Sequence, residues 1–385
     1  MAEHPLERLT PEQVEEIGRE FQRLHDEVFD SLGERDAKYI RSLIALHRKL
    51  AVGGRVLLLP SLFPPAWLAG TIVLSLEKIL ENMEIGHNVM HGQWDWMNDP
   101  VINSQVWDWD TASTKEAWKH SHNYIHHTYT NVVGMDRDLG YEIMRIDPEQ
   151  EWHPVYLLQP LYNLLLMAFF EWGVALHDLD FTAVRSGKKS VLGLAKDFGG
   201  ILGKARRQIV KDYILWPALS GPSFLPTLAA NFTANVVRNV WAYAIIFCGH
   251  FPDQTYTFTP EQHETETEGG RYVRQLLGAA NIDGSPLFHV ISGNLGYQVE
   301  HHLYPDMPST RYGEIAPRVR EICRRYDLPY NTGPLHKQLA MVQRTILRLA
   351  FPGGKPRPKP GAYRGPTLRT PGERDVAELA ATAQH

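Results

Sequence analysis

Apolar positions Val14, Ile17, Phe21, Leu24 and Val28 recur at helical spacing behind Thr10, Pro11 and Gln13, which supply an N-cap, a first-turn proline and a capping-box partner. They predict an amphipathic helix ending near Gly33, with its apolar face packed on protein or laid against a membrane. From residue 39 to 63 the chain is apolar, but Arg41, Arg48, Lys49 and Arg55 interrupt it, so a full crossing is not expected there. After Pro64 and Pro65, residues 66–80 make a better membrane segment. That helix can run on through Glu81, Asn82 and Glu84 to His91, carrying His87 and His91 out of the bilayer at its end.

Residues 92–121 are rich in Trp and Asp and hold nothing long enough to cross. Residues 155–176 have the required length, yet the following 178–212 carries eight Lys and Arg, a loop that favours the cytoplasmic side. The preferred reading is a helix at the interface or entering part way. Residues 213–251 are long enough for two crossings joined by a turn between 221 and 231, which returns the chain to its starting side. Asn231, Asn235, Asn239 and Tyr243 recur every four residues along the second half. Amides cannot face lipid without cost, so this stripe should look into the bundle.

Further on, Ile315, Val319, Ile322 and Tyr326 mark one amphipathic helix. Leu335, Leu339, Val342, Ile346 and Leu349 mark another, with Lys337, Arg344 and Arg348 between them to suit an anionic bilayer surface. From residue 352 Pro, Gly and Arg dominate without periodicity, and a disordered tail is expected. The pattern predicts an all-α fold: an integral membrane helical bundle with a cytosolic helical cap. Its parts are an N-terminal helix (1–38), a membrane-embedded domain with its cap (39–335), a surface amphipathic helix (336–351) and the tail (352–385).

A net charge of −5 over 385 residues gives no sign of a nucleic-acid partner. The only cysteines, Cys248 and Cys323, build neither a disulfide framework nor a cysteine-rich metal site. No basic stretch followed by an apolar run opens the chain, so no cleavable signal is expected and both termini should be cytosolic.

Histidine changes the picture most. His87-Asn-Val-Met-His91, His122-Asn-Tyr-Ile-His126-His127 and Gln298-Val-Glu-His301-His302 are three clusters in which partners four apart share a helical face. His250, just past the end of the asparagine stripe, is a further candidate ligand. Imidazole suits Zn, Cu, Fe and Ni alike. Eight histidines are too many for one tetrahedral zinc but enough for two metals with positions left open. Histidines along a transport path or across a haem would sit near mid-bilayer, whereas these clusters lie outside the apolar runs.

The three clusters, with Gln298 heading the third, resemble those of the membrane fatty acid desaturases, and the resemblance extends over roughly residues 35–335. The stretches around His87 and His91, Cys248-Gly-His-Phe-Pro, and Gly293-Asn-Leu-Gly-Tyr-Gln-Val-Glu-His-His-Leu-Tyr-Pro look most like actinobacterial stearoyl-CoA Δ9 enzymes. The resemblance implies a di-iron centre ligated by His87, His91, His122, His126, His127, His250, His301 and His302. Gln298 or Asn294 would hold a metal-bound water, and no catalytic group beyond the ligands is implied. It implies that O2 and two electrons are consumed, that two hydrogens leave a long saturated chain carried on coenzyme A or a lipid, and that water is released.

His120, two residues before the second cluster, ranks below His122 because only His122 has a helical partner. Asn235, Asn239 and Tyr243 are candidate walls of an acyl tunnel, and Lys188, Lys189, Arg206 and Arg207 are candidates to attract coenzyme A phosphates. No flavin, haem or dinucleotide motif is present, so electrons from NAD(P)H should arrive through a separate reductase. A hydroxylase on the same scaffold is the nearest alternative. The expected location is the cell membrane, with the metal site on the cytoplasmic side.

Overall fold

The computed structural model describes residues 4–252, 254–354, 359 and 361–365. They are almost entirely helical, and their only sheet pairs Asn281–Asp283 in parallel with Thr332–Pro334. The first helix, Pro11–Asp30, opens with the predicted capping box between Thr10 and Gln13. Its buried Ile17, Phe21 and Leu24 pack on protein rather than lipid, joining Tyr272, Leu276, Tyr304 and Ile315 in one core. That core unites the Glu268–Leu277, Gln298–Leu303 and Tyr312–Arg325 helices into a cap.

Below the cap lie long helices. Glu34–Leu58 packs against a continuous helix over residues 64–90, whose Pro64–Leu80 turns are α-helical. Gly54 and Gly70 allow the close approach: a Cβ on Gly54 would lie 2.7 Å from the Leu74 side chain, and one on Gly70 2.7 Å from Leu58. A hairpin forms, but its first arm starts well before the expected residue 213, within the 178–212 stretch read as a loop, and its turn lies at the near edge of the expected 221–231. A helix over 191–219 turns at Ser220 and Gly221, the latter at φ +55°, and Phe224–His250 runs back.

One expectation, the bilayer-facing helix of Leu335 to Leu349, changes, and two findings bear on the membrane segments. Among the described residues, no helix is long and apolar enough to cross a membrane. Pro64–Leu80 has only 17 residues, and in Phe224–His250 the amides of Asn231, Asn235 and Asn239 join Arg238 in lowering the hydropathy. Lys78 meets Asp212 at 2.7 Å, and Arg238 pairs with Glu171, so charges sit inside the otherwise apolar helices and are neutralised by one another. The 155–176 run breaks at Phe169 (φ −120°, ψ 36°) into Gln159–Ala168 and Phe170–His177. A ten-residue helix spans about 15 Å, half a hydrocarbon core. Finally, Leu335–Leu349 buries Val342, Ile346 and Leu349 against the protein core, so its apolar face is not offered to a bilayer. Most of the tail beyond residue 354 lies outside the described residues.

Many large apolar side chains are nonetheless exposed. Leu68, Ile72 and Leu76 on the 64–90 helix, Leu161 and Leu165 on Gln159–Ala168, and Leu202, Ile209 and Leu225 on the hairpin all face outward.

Candidate metal centre

Two of the histidine clusters sit where an α-helix loosens. Residues 81–87 of the 64–90 helix, and 119–126 within the helix over 115–129, are π-helical, with backbone bonds closing five residues apart. The His127 N–H accordingly donates to the His122 carbonyl. In such a turn residues four and five apart return to nearly the same face. This lets His122, His126 and His127 converge where a strict α-helix would fan them out.

The convergence is complete in space. Ligand nitrogens of His87, His91, His122 and His301 lie within 4.8 Å of one another, and those of His126, His250 and His302 form a second such group. His127 belongs to neither group and stands between them, its ring 4.8 Å from that of His91, 5.0 Å from His301 and 4.6 Å from His302. His120 is exposed and stacks on Tyr124, away from both. Gly249 brings the third cluster to His250: a Cβ there would come within 2.7 Å of the Gln298 side chain, whose amide nitrogen lies 2.9 Å from His250 Nε2.

The rings are held from behind. Nδ1 of His122 lies 3.1 Å from Asp138, Nδ1 of His126 3.0 Å from Asp136, Nδ1 of His302 3.0 Å from Gln275 Oε1, and Nδ1 of His87 3.1 Å from Asn88 Oδ1. Nδ1 of His301 lies 3.2 Å from the Tyr312 hydroxyl. Such partners fix the tautomer and turn Nε2 inward. There, Nε2 of His91, His122, His126, His127 and His301 are buried with no protein partner. Buried nitrogens are normally paired, so this concentration of orphans fits a bound cation.

Electrostatics agrees with the neutral, metal-binding form. Burial, reinforced by His122, pushes His87 down to about 3, and burial holds His91, His127, His301 and His302 well below the ordinary histidine value. At His126 burial pulls in the same direction, but the Asp136 carboxylate more than offsets it and the ring lies above its ordinary value.

Behind the first cluster, Glu84 is wholly buried and gathers the Tyr39 hydroxyl at 2.7 Å, Ser309 at 2.9 Å, the Asn294 amide at 3.0 Å and the Asn88 amide at 3.2 Å. Burial raises it to about 7 against those hydrogen bonds. Asn294 therefore spends its amide on Glu84, whereas Gln298 reaches the second histidine group. The orienting Asp136, Asp138, Gln275 and Tyr312 were missed by sequence reasoning. Only the two aspartates left a signal, as carboxylates closely following the second cluster.

A cavity with about 60 Å³ of room for the centres of water-sized molecules lies beside His87 and His122, walled by Trp109, Trp118, Tyr141, Phe170, Val174 and Ile246. Glu171 and Asn239 also line it. Of the three asparagine-stripe candidates only Asn239 reaches this space. Asn235 donates to the Tyr213 hydroxyl at 2.9 Å, and Tyr243 donates to Asn163 at 2.6 Å, so both are tied up within the protein. Of the basic candidates, Lys189 pairs with Asp197 at 2.7 Å, while Lys188, Arg206 and Arg207 are exposed.

Fold and site together define an almost entirely helical protein whose clustered histidines fit a metal site beside a mainly apolar cavity. The chain belongs to the fatty acid desaturase family, whose description matches residues 62–334, and it is an oxidoreductase of that kind. It is 46% identical over 348 residues to the NADPH-dependent stearoyl-CoA 9-desaturase of Mycobacterium tuberculosis, covering 89% of this chain and 82% of the relative. The sn-1 linoleoyl-lipid 6-desaturase of Synechocystis is 25% identical over 318 residues, 80% of this chain and 87% of the relative. An acyl-lipid (8-3)-desaturase of Physcomitrium patens is 28% identical over 266 residues, 66% of this chain and 54% of the relative.

Proposed function

We propose that this chain places a cis double bond at C9 of a long saturated acyl chain, stearoyl-coenzyme A being the substrate the similarity to the mycobacterial enzyme favours. The observation that carries the reading is the pair of buried imidazole groups, with Nε2 of His91, His122, His126, His127 and His301 unpartnered, the first group standing at the wall of an aromatic-lined cavity. His87, His91, His122 and His301 would hold one iron and His126, His250 and His302 the other, with His127 between them. Gln298 suits a metal-bound water at the second, while Asn294 acts through Glu84. Two irons so bound supply the oxidation, in which O2, two electrons and two protons are consumed, two hydrogens leave adjacent methylenes and two waters form.

The chain's own residues do the rest. Asp136, Asp138, Gln275 and Tyr312 fix the ligand rings, and the aromatic walls exclude water and hold the acyl chain against the His87 and His122 side of the centre. Electrons come from NADPH through a separate reductase docking on the same face, in keeping with the NADPH dependence of the mycobacterial relative. Exposed Leu68, Ile72, Leu161, Leu202 and Leu225 suit contact with lipid and support a location in the cell membrane, where the metals and termini would lie on the cytoplasmic side.

The test is product analysis of stearate-fed cells expressing the chain with a reductase. The product should be two mass units lighter than the substrate acid, and His301→Ala or His126→Ala should abolish it and lower bound iron, whereas the exposed His120→Ala does neither. A product that gains oxygen assigns a hydroxylase instead, and full activity in His301→Ala refutes the centre.

A further inference from the structure

His250 is held differently from its neighbours. Its Nε2 faces Gln298 at 2.9 Å and His302 Nε2 at 3.4 Å, while Nδ1, on the other side of the ring, is buried without a protein partner. Asn131 Oδ1 and Thr345 Oγ1 are in the same condition, and all three residues, 4%, 1% and 7% exposed, line one small cavity behind His250. It leaves about 20 Å³ of room for the centre of a water molecule, enough for one.

The other polar side chains around this cavity are engaged. Thr255 Oγ1 donates to the His250 carbonyl at 2.8 Å, Thr257 Oγ1 to Asp147 at 2.6 Å, and Lys359 Nζ to the Thr255 carbonyl. The Asn131 amide nitrogen donates to the carbonyls of Tyr256 at 2.9 Å and Gly278 at 2.8 Å, which settles which end of that side chain is the oxygen. A donor at His250, an acceptor at Asn131 and a hydroxyl at Thr345 remain. That set matches the two donors and two acceptors of water.

We propose that this cavity binds one structural water, which accepts from His250 Nδ1–H, donates to Asn131 Oδ1 and completes its contacts on Thr345, and that this water orients His250. It does for His250 what Asp136 does for His126 and Gln275 for His302: it keeps the proton on Nδ1, so that Nε2, beside the Gln298 amide, carries the lone pair that would ligate. The orienting role rests on the metal-centre reading; the water itself depends on protein atoms alone.

A structure of the full chain, metal-free and iron-loaded, at a resolution that shows ordered water tests it. One density peak within about 2.7–3.2 Å of the three atoms is expected in both forms. A cavity without density overturns the site whatever the metal content. Thr345→Val, which keeps shape and removes one contact, should weaken the second iron equivalent several-fold in chelator competition, leave the first unchanged and alter one Mössbauer doublet. Unchanged affinity and spectrum with the water in place overturn its orienting role. Wild-type protein that binds no iron yet shows the water instead counts against the metal centre and supports the site.

Discussion

Asp136 and Asp138 decide more at this site than their distance from the histidine clusters in the chain suggests. Each sits behind one histidine of the second cluster, and Asp138 also reaches His177 Nε2 at 3.0 Å. A carboxylate in this position raises ligand basicity and fixes the ring. Asp136→Asn should therefore cost roughly 10- to 100-fold in iron affinity, read by chelator competition, with the helical fold unchanged by circular dichroism.

Glu84 yields a prediction of opposite electrostatic character. Its folded value of about 7 exceeds its ordinary 4.5, so its contribution to stability is fully present below 4.5 and lost as pH rises through 7. The loss amounts to roughly 3 kcal/mol. Glu84→Gln keeps the hydrogen-bonding shape and removes the titration. The stability of the metal-free wild type relative to this variant should fall between pH 5 and pH 8 in detergent unfolding. A difference that stays flat or rises contradicts the assignment. The histidines that cluster in space were legible in the sequence because doublets and four-residue spacings are local. Gln275 and Tyr312 were not, because only the fold brings them to His302 and His301.

At the scale of elements, helical periodicity located the helices over 11–30, 64–90 and 224–250, but the basic 191–212 stretch read as a loop and is helical. The first helix and its capping box were also found, since these depend on neighbours a few residues apart. It could not foresee the π-helical stretches 81–87 and 119–126, whose backbone yields to the packing of the site. Nor could it place the apolar face of Leu335–Leu349, because an amphipathic pattern serves a protein core as well as a bilayer.

The Phe224–His250 helix supplies both His250 and, one turn before it, Ile246 at the cavity wall. Ile246→Trp should fill that space. The expected result is unchanged iron content with kcat/KM for the stearoyl substrate down about tenfold or more, equivalent to at least about 1.4 kcal/mol of lost transition-state binding. Unaltered turnover would place the acyl chain elsewhere.

For the whole molecule, the cap and the long helices meet at the histidines. The N-terminal helix buttresses the cap, the 64–90 helix and Phe224–His250 rise from below with His87 and His250 near their ends, and the cap delivers His301 and His302. Charged pairs such as Lys78 with Asp212 lower the hydropathy of the long helices, while their outward faces remain apolar. The proposed membrane contact consequently rests on exposed faces rather than on the mean character of any one helix. Elemental analysis of the purified, catalytically active chain tests the account most directly. It predicts two irons per polypeptide and negligible zinc, falling together with activity in His301→Ala; a single zinc, or activity persisting without iron, would contradict it.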